Sequence, residues 1–177
     1  VFDMRPEELQ LGFLKMLRGT GLRINAKQFG YVYMDHAPYE MLSNKVMSFA
    51  DIARIKRVEV ILDKYWNDHR TDHTVEYLVT HVFPTPFDFF QSFGDFWYEQ
   101  GWRKIGHQLD DLYNRLYLFL QQEAPSSLRV VESLMTYDYL LHHNHKPRNL
   151  WKEATFTKQE LTELFEWIEN HRDELQL

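Results

Sequence analysis

Asp138 is the residue best placed to do chemistry. At about 100° per residue it falls in the middle of the apolar stripe formed by Leu128, Val131, Leu134, Met135 and Leu141. An ionised carboxylate on a buried helix face must be paired or hydrogen-bonded, because leaving it alone there costs several kcal/mol. Two roles satisfy that demand. Asp138 is either a structural carboxylate tying helices to an Arg, a Tyr or backbone amides, or a carboxylate facing a cleft. The structural role is favoured, since ion-pair networks also perturb titrations.

Glu59 is a weaker instance, at the edge of an apolar stripe and close in sequence to Lys56 and Arg57. It is expected to be a helix-edge salt-bridge partner. Tyr39 and Glu40, just after Pro38, are further candidates for a structural or cleft role. Two histidine groups invite a metal reading: His69 and His73, four apart with Asp72 between them, and His142-His143-Asn144-His145. An i, i+4 histidine pair can bind zinc. No His-Glu-x-x-His pattern is present, however, and helix ends attract histidine electrostatically. No metal ligand and no catalytic residue is assigned.

Other chemistries lack their signatures. There is no Gly-x-Ser-x-Gly elbow, no phosphate loop and no dinucleotide fingerprint, and Gly12, Gly19 and Gly21 have the wrong spacing for one. Asp110 and Asp111 fall in the first turn of a helix, where they favour its dipole.

The elements that must hold these residues are mostly helices. Ser48-Phe49-Ala50-Asp51 resembles a capping box and opens a helix whose stripe is Ile52, Ile55, Val58, Leu62, Tyr65 and Trp66, ending near Asn67. A shorter helix is expected over 74–82, stopped by Pro84. Thr85-Pro86-Phe87-Asp88 supplies the cap, proline and acid of a third start. That helix carries Phe87, Phe89, Phe90, Phe93, Phe96, Trp97 and Tyr98, with Trp102 beyond it. Aromatics all round imply burial on several sides or a face kept for a partner.

A fourth helix follows from Leu109, Leu112, Tyr113, Leu116, Phe119 and Leu120. Pro125-Ser126-Ser127 then breaks it and caps the helix of Asp138, and Pro147 closes that region. Thr157 and Glu160 form a capping box for a last helix with Leu161, Leu164, Phe165, Ile168 and Leu175. Ahead of all this the chain is ambiguous. Leu9, Leu11 and Phe13 alternate as in a strand, while Leu9, Phe13, Met16 and Leu17 suit a helix face. Gly19-Thr20-Gly21 ends that segment, Tyr31-Val32-Tyr33 suggests a short strand, and the residue before Pro38 disfavours helix. The fold class is mainly α: a single domain of about six helices with a short irregular or partly stranded N-terminal lead-in.

Composition narrows the partners. The 177 residues suffice for one domain, and 44% hydrophobic with 26% charged residues is globular usage. A net charge of −6 with no basic tract argues against nucleic acid, and no apolar run approaches a membrane span. There is no cysteine, so these residues hold no disulfide, thiolate zinc site or iron–sulfur ligand. A cytoplasmic location is expected. The sequence has no initiating methionine and opens mid-phrase, so it is expected to be a piece of a longer chain.

Three stretches resemble one family. Leu9-Gln10-Leu11-Gly12-Phe13-Leu14-Lys15, followed by Leu17-Arg18-Gly19-Thr20, resembles the end of the radical SAM barrel in cobalamin-binding radical SAM proteins. Ala37-Pro38-Tyr39-Glu40-Met41-Leu42 and the Ser48 to Glu59 segment resemble the start of the uncharacterised helical domain after that barrel. Tyr137-Asp138-Tyr139 looks like a later landmark of it. The resemblance implies residues 1–25 as a barrel remnant and residues 26–177 as a C-terminal helical accessory domain. It implies a parent that uses a 4Fe–4S cluster, S-adenosylmethionine and cobalamin, often labelled an Fe–S oxidoreductase or an anaerobic magnesium-protoporphyrin monomethyl ester oxidative cyclase. No ligand of these cofactors carries over, since the cysteine motif is absent.

Two roles follow. In one, the domain caps the barrel of its own parent chain and shapes the substrate cavity, with the Phe87 to Trp102 stretch and the Ala37 to Leu42 turn nearest the barrel. The isolated piece is then inactive. In the other, it is a protein-interaction or subunit-docking module. The first is favoured, on fold-level analogy.

Overall fold

The lead-in is extended rather than helical. In the computed structural model, which describes residues 1–102, 108–143 and 157–170, a 3-10 turn at Phe2–Met4 gives way to an irregular run. That run touches the rest of the lead-in through an isolated antiparallel bridge between Lys15 and Glu40. The Met16 amide donates to the Tyr39 carbonyl at 2.7 Å, and the Met41 amide to that of Leu14 at 2.8 Å. The strand-like alternation therefore gives the right backbone, and the alternative helix face over Leu9 to Leu17 does not form. Two short helices follow, α1 (Gly21–Ile24) capped by Thr20 and α2 (Ala26–Phe29) ended by Gly30. With φ at 65°, Gly30 adopts a left-handed conformation that suits glycine. Strands β1 (Val32–Tyr33) and β2 (Met41–Ser43) then pair antiparallel.

The chain is mainly α from there on. Helix α3 (Phe49–Leu62) starts with the expected box: Ser48 Oγ accepts the Asp51 amide at 3.1 Å, and Asp51 accepts the Ser48 amide at 2.8 Å. It continues as a π-helical turn, Asp63–Asn67, which carries the buried Tyr65 and Trp66. After His69, whose φ is 52°, α4 (Asp72–Tyr77) runs into a second π-helical turn, Leu78–Val82. This helix starts at Asp72 rather than Thr74, because its first turn is capped from another helix, as described below.

Helix α5 (Pro86–Glu99) buries Phe89, Phe90, Phe93 and Trp97. Its main neighbour is α3, and Gly94 sets their approach: a Cβ there would stand 2.8 Å from the Arg57 carbonyl oxygen. Helix α6 (Leu109–Glu123) buries Leu112, Tyr113, Leu116, Phe119 and Leu120 as its spacing predicts. The core is aromatic where α5 meets α6 and the end of α3. Phe93 stacks on Phe119 with ring centroids 4.5 Å apart and lies 4.9 Å from Tyr65. The Tyr65 hydroxyl donates to the Leu112 carbonyl at 2.8 Å, and burial pushes its pKa well above the usual phenol range. Of the aromatic stretch, Phe89, Phe90, Phe93 and Trp97 are buried, while Phe87 and Tyr98 are exposed.

A 3-10 turn at Pro125–Ser127 leads into α7 (Leu128–His142). Its covered residues are Val131, Met135, Asp138 and Tyr139, whereas Leu141 is 50% exposed. The stripe leans toward α4 and α6, so Tyr139, packed on Tyr113 at 5.5 Å, closes it instead of Leu141. Residues Val1–Pro147 make one unit and Arg148–Leu177 a second. In the second, α8 (Lys158–Asn170) begins at the expected box, with Glu160 accepting the Thr157 amide at 2.7 Å. Its Leu164 and Phe165 are exposed. Pro147, His145 and Leu175 lie outside the described residues.

Candidate functional site

Helix α4 lacks a cap of its own. Thr71 stands at the N-cap position, yet its hydroxyl donates to the Tyr65 carbonyl at 2.8 Å and leaves the first-turn amides orphaned. Asp138 supplies the cap from α7. Its Oδ2 accepts the Thr74 amide at 2.9 Å and the Thr74 hydroxyl at 2.6 Å. Its Oδ1 accepts His73 Nδ1–H at 2.7 Å and, more weakly, the His73 amide at 3.3 Å. The side chain is 2% exposed. A buried carboxylate at a helix N-terminus is stabilised by the free amides and the dipole together. Backbone amides are among the partners expected for it; the histidine and threonine side chains are not, and among the described residues no arginine is recorded on it.

The neighbouring tyrosine shares this environment. Tyr113 donates its hydroxyl to the Arg70 carbonyl, and its pKa is driven up by burial first and the Asp138 charge second. The His73 ring packs edge-on against Tyr137 at 4.9 Å and is otherwise half exposed. Chemically, Asp138 fixes the tautomer of His73 and anchors α7 to α4. All four of its bonds are to protein donors, so its principal work is structural.

His69 and His73 do not form a pair on one helix. His69 lies ahead of α4 and turns the other way: its Nε2–H donates to the Glu7 carbonyl at 2.7 Å, and its Nδ1 faces Asp72 at 3.2 Å. Among the described residues, no group of three or more His, Asp and Glu side chains could hold a metal ion. Burial pulls the His69 pKa down, but hydrogen bonds to Asp72 and Glu7 outweigh it and hold the pKa above the ordinary 6.5. Only the imidazolium donates from both nitrogens. Its stabilisation is therefore complete below 6.5 and is lost as pH rises through the raised folded value. An NMR titration should place the His69 midpoint above 6.5, and Asp72→Asn should bring it down. A midpoint unchanged by Asp72→Asn would contradict this geometry.

The other candidates sit elsewhere. Glu40 pairs with Lys56, whose ammonium also faces the Phe13 ring at 4.8 Å. Tyr39, at φ 60°, gives its carbonyl to Met16, and its ring faces the Arg23 guanidinium at 5.4 Å. Glu40 ties the lead-in to α3, whereas Tyr39 joins parts of the lead-in to one another. Glu59 is half-buried; burial first, then the Asp63 charge, raises its pKa against the pull of Lys56. The salt bridge anticipated there goes to other acids, Lys56 bonding Glu40 and Arg57 bonding Asp95 at 2.6 Å. The structure thus brings Glu40 and Glu59 near one lysine and leaves Asp138 apart.

Several residues escaped the sequence reasoning. His73 and Thr74 are about 65 positions from Asp138, and no spacing signals such a contact. Buried Arg115 lies 5.0 Å and 5.1 Å from the Trp97 and Trp102 rings, a cation–π arrangement that helical periodicity does not reveal. Gly94 did leave a signal: a lone glycine inside a strong helix usually has a packing reason.

Residues 27–177 match the model of a family described as "Protein of unknown function (DUF4080)", and the chain belongs to that family. No curated protein and no solved structure matches it.

Proposed function

We propose that this chain is the accessory helical domain of a cobalamin-type radical SAM enzyme, covering the barrel of its own parent chain and shaping the substrate cavity without performing chemistry itself. The reading starts from the resemblance of the lead-in and of the Ser48 to Glu59 segment to such proteins. The observation that carries it further is where apolar surface is exposed. Leu14, Leu17, Leu22, Ile24, Phe29, Val32, Val46 and Phe49 are all exposed, and all belong to the lead-in or the start of α3. Across the much longer run 50–143, the described large apolar residues left exposed are Phe87, Tyr98, Leu118, Val130 and Leu141. Scattered apolar residues are ordinary, whereas concentration on one segment marks a contact surface.

The Phe87 to Trp102 stretch puts Phe89, Phe90, Phe93 and Trp97 into the core, so in this reading the better docking surface is the exposed part of residues 26–49, continuous with residues 1–25, which the resemblance makes the barrel's own end. Asp138 supports the absence of a catalytic role, because its hydrogen-bonding capacity is used within the fold. The parent's 4Fe–4S cluster, S-adenosylmethionine and cobalamin belong to this proposal, as does a cytoplasmic location. No described helix is long and apolar enough to cross a membrane.

Truncation tests the reading. Deleting the domain from the full-length enzyme should abolish cofactor turnover. Uncoupled turnover that survives the deletion would favour a docking module without a catalytic role. Calorimetric titration of the present chain with S-adenosylmethionine should give no binding heat, and tight binding would overturn the proposal.

A further inference from the structure

Residues 2–9 are held in the manner of a bound peptide. From Pro6 to Leu9 the chain runs along the corner between α3 and α4, and side chains of that corner grip its backbone. The Trp66 indole N–H donates to the Pro6 carbonyl at 3.1 Å, and His69 donates to that of Glu7 at 2.7 Å. Asn67 brackets Leu9, accepting its amide at 3.0 Å and donating to its carbonyl at 3.2 Å. The same Asn67 amide donates to Asp63 at 3.0 Å, which orients it. Backbone contacts of this kind give affinity with little demand on sequence.

Two side chains add the demand. Arg5 forms a two-pronged pair with Glu76 at 2.7 Å and 2.9 Å, a geometry specific to guanidinium and carboxylate. Phe2 lies against Trp66 at 4.6 Å and Phe90 at 5.5 Å, with the Arg5 guanidinium 4.9 Å over its own ring. Pro6 has no N–H to satisfy, so only its carbonyl needs a partner. Meanwhile none of residues 1–15 is buried. The segment covers the core without belonging to it.

We propose that the α3–α4 corner is a recognition site for a peptide of the pattern aromatic-x-x-Arg-Pro, which enters as a 3-10 turn ended by a left-handed Arg5 before running on past Pro6, and that residues 2–9 occupy it in cis as an exchangeable ligand. Tethering gives the cis segment an effective concentration in the millimolar range, so it excludes the same peptide offered in trans. This inference does not rest on the radical SAM reading and goes beyond it.

The test uses the 177-residue chain of residues 1–177 with a protease site placed at Gly12, where a side chain would meet open space. After cleavage the chain should keep its circular dichroism and melting transition, and the freed segment should stay bound at micromolar concentration. A fluorescent peptide of residues 1–11 should then replace it, and the same peptide carrying Arg5→Glu should compete on the order of tenfold more weakly. The uncut chain should take up neither. The proposal is overturned if cleavage unfolds the chain, if the freed segment neither stays nor rebinds, or if the Arg5→Glu peptide competes equally.

Discussion

Replacing Asp138 by alanine should destabilise the fold by about 3–4 kcal/mol. The change removes the cap of α4, worth about 1 kcal/mol by itself, and strands the Thr74 amide and hydroxyl in a buried site at about 1–3 kcal/mol for each group left unsatisfied. Neighbouring groups would relax to recover part of that sum. Asp138→Asn should cost less, because one oxygen still accepts, but its amide presents hydrogens to donors that need an acceptor. His73→Ala should cost least, since its ring is half exposed. Urea unfolding measures the series directly, with the midpoint falling and the slope unchanged. If Asp138→Ala loses under about 1 kcal/mol, the capping role assigned from the geometry is wrong.

Gly94→Ala should also destabilise, by about 2 kcal/mol, although helix propensity alone favours alanine by about 1 kcal/mol. The opposing term is steric. The new Cβ would stand 2.8 Å from the Arg57 carbonyl oxygen, 2.9 Å from its carbon and 3.0 Å from its Cβ. Two of those atoms are α3 backbone, which cannot rotate away, so the helices must separate. Separation would loosen the Arg57–Asp95 pair and the packing of Arg57 over Tyr98 at 4.2 Å. Thermal unfolding of Gly94→Ala beside an exposed mid-helix alanine change would expose the sign. A stabilised Gly94→Ala would mean that α3 and α5 are not in backbone contact.

The helices were legible in the sequence because their signals are local. Ser48 with Asp51, Thr85 with Pro86 and Asp88, and Thr157 with Glu160 each announce a start within four residues, and each start forms as announced. The start of α4 lies two residues ahead of where local signals put it for the complementary reason: its cap comes from α7, far along the chain. Asp138 could be singled out by its position on an apolar stripe, but periodicity says only that a partner is needed. Which donors answer depends on how α4 and α7 pack. Leu141 shows the same limit at the edge of the stripe, where the neighbouring helix decides between it and Tyr139. The lead-in was legible only as ambiguity, since its backbone is held by side chains such as Asn67 and Trp66 rather than by a regular ladder.

The central proposal is that the apolar lead-in covers a radical SAM barrel. It is tested most directly by amide hydrogen exchange on this domain with and without the separately produced barrel of its parent. The account predicts slowed exchange concentrated in residues 14–49, with α5 and α6 unchanged because their apolar faces are already filled. Unchanged exchange in the lead-in, or new protection confined to other surfaces, would contradict it.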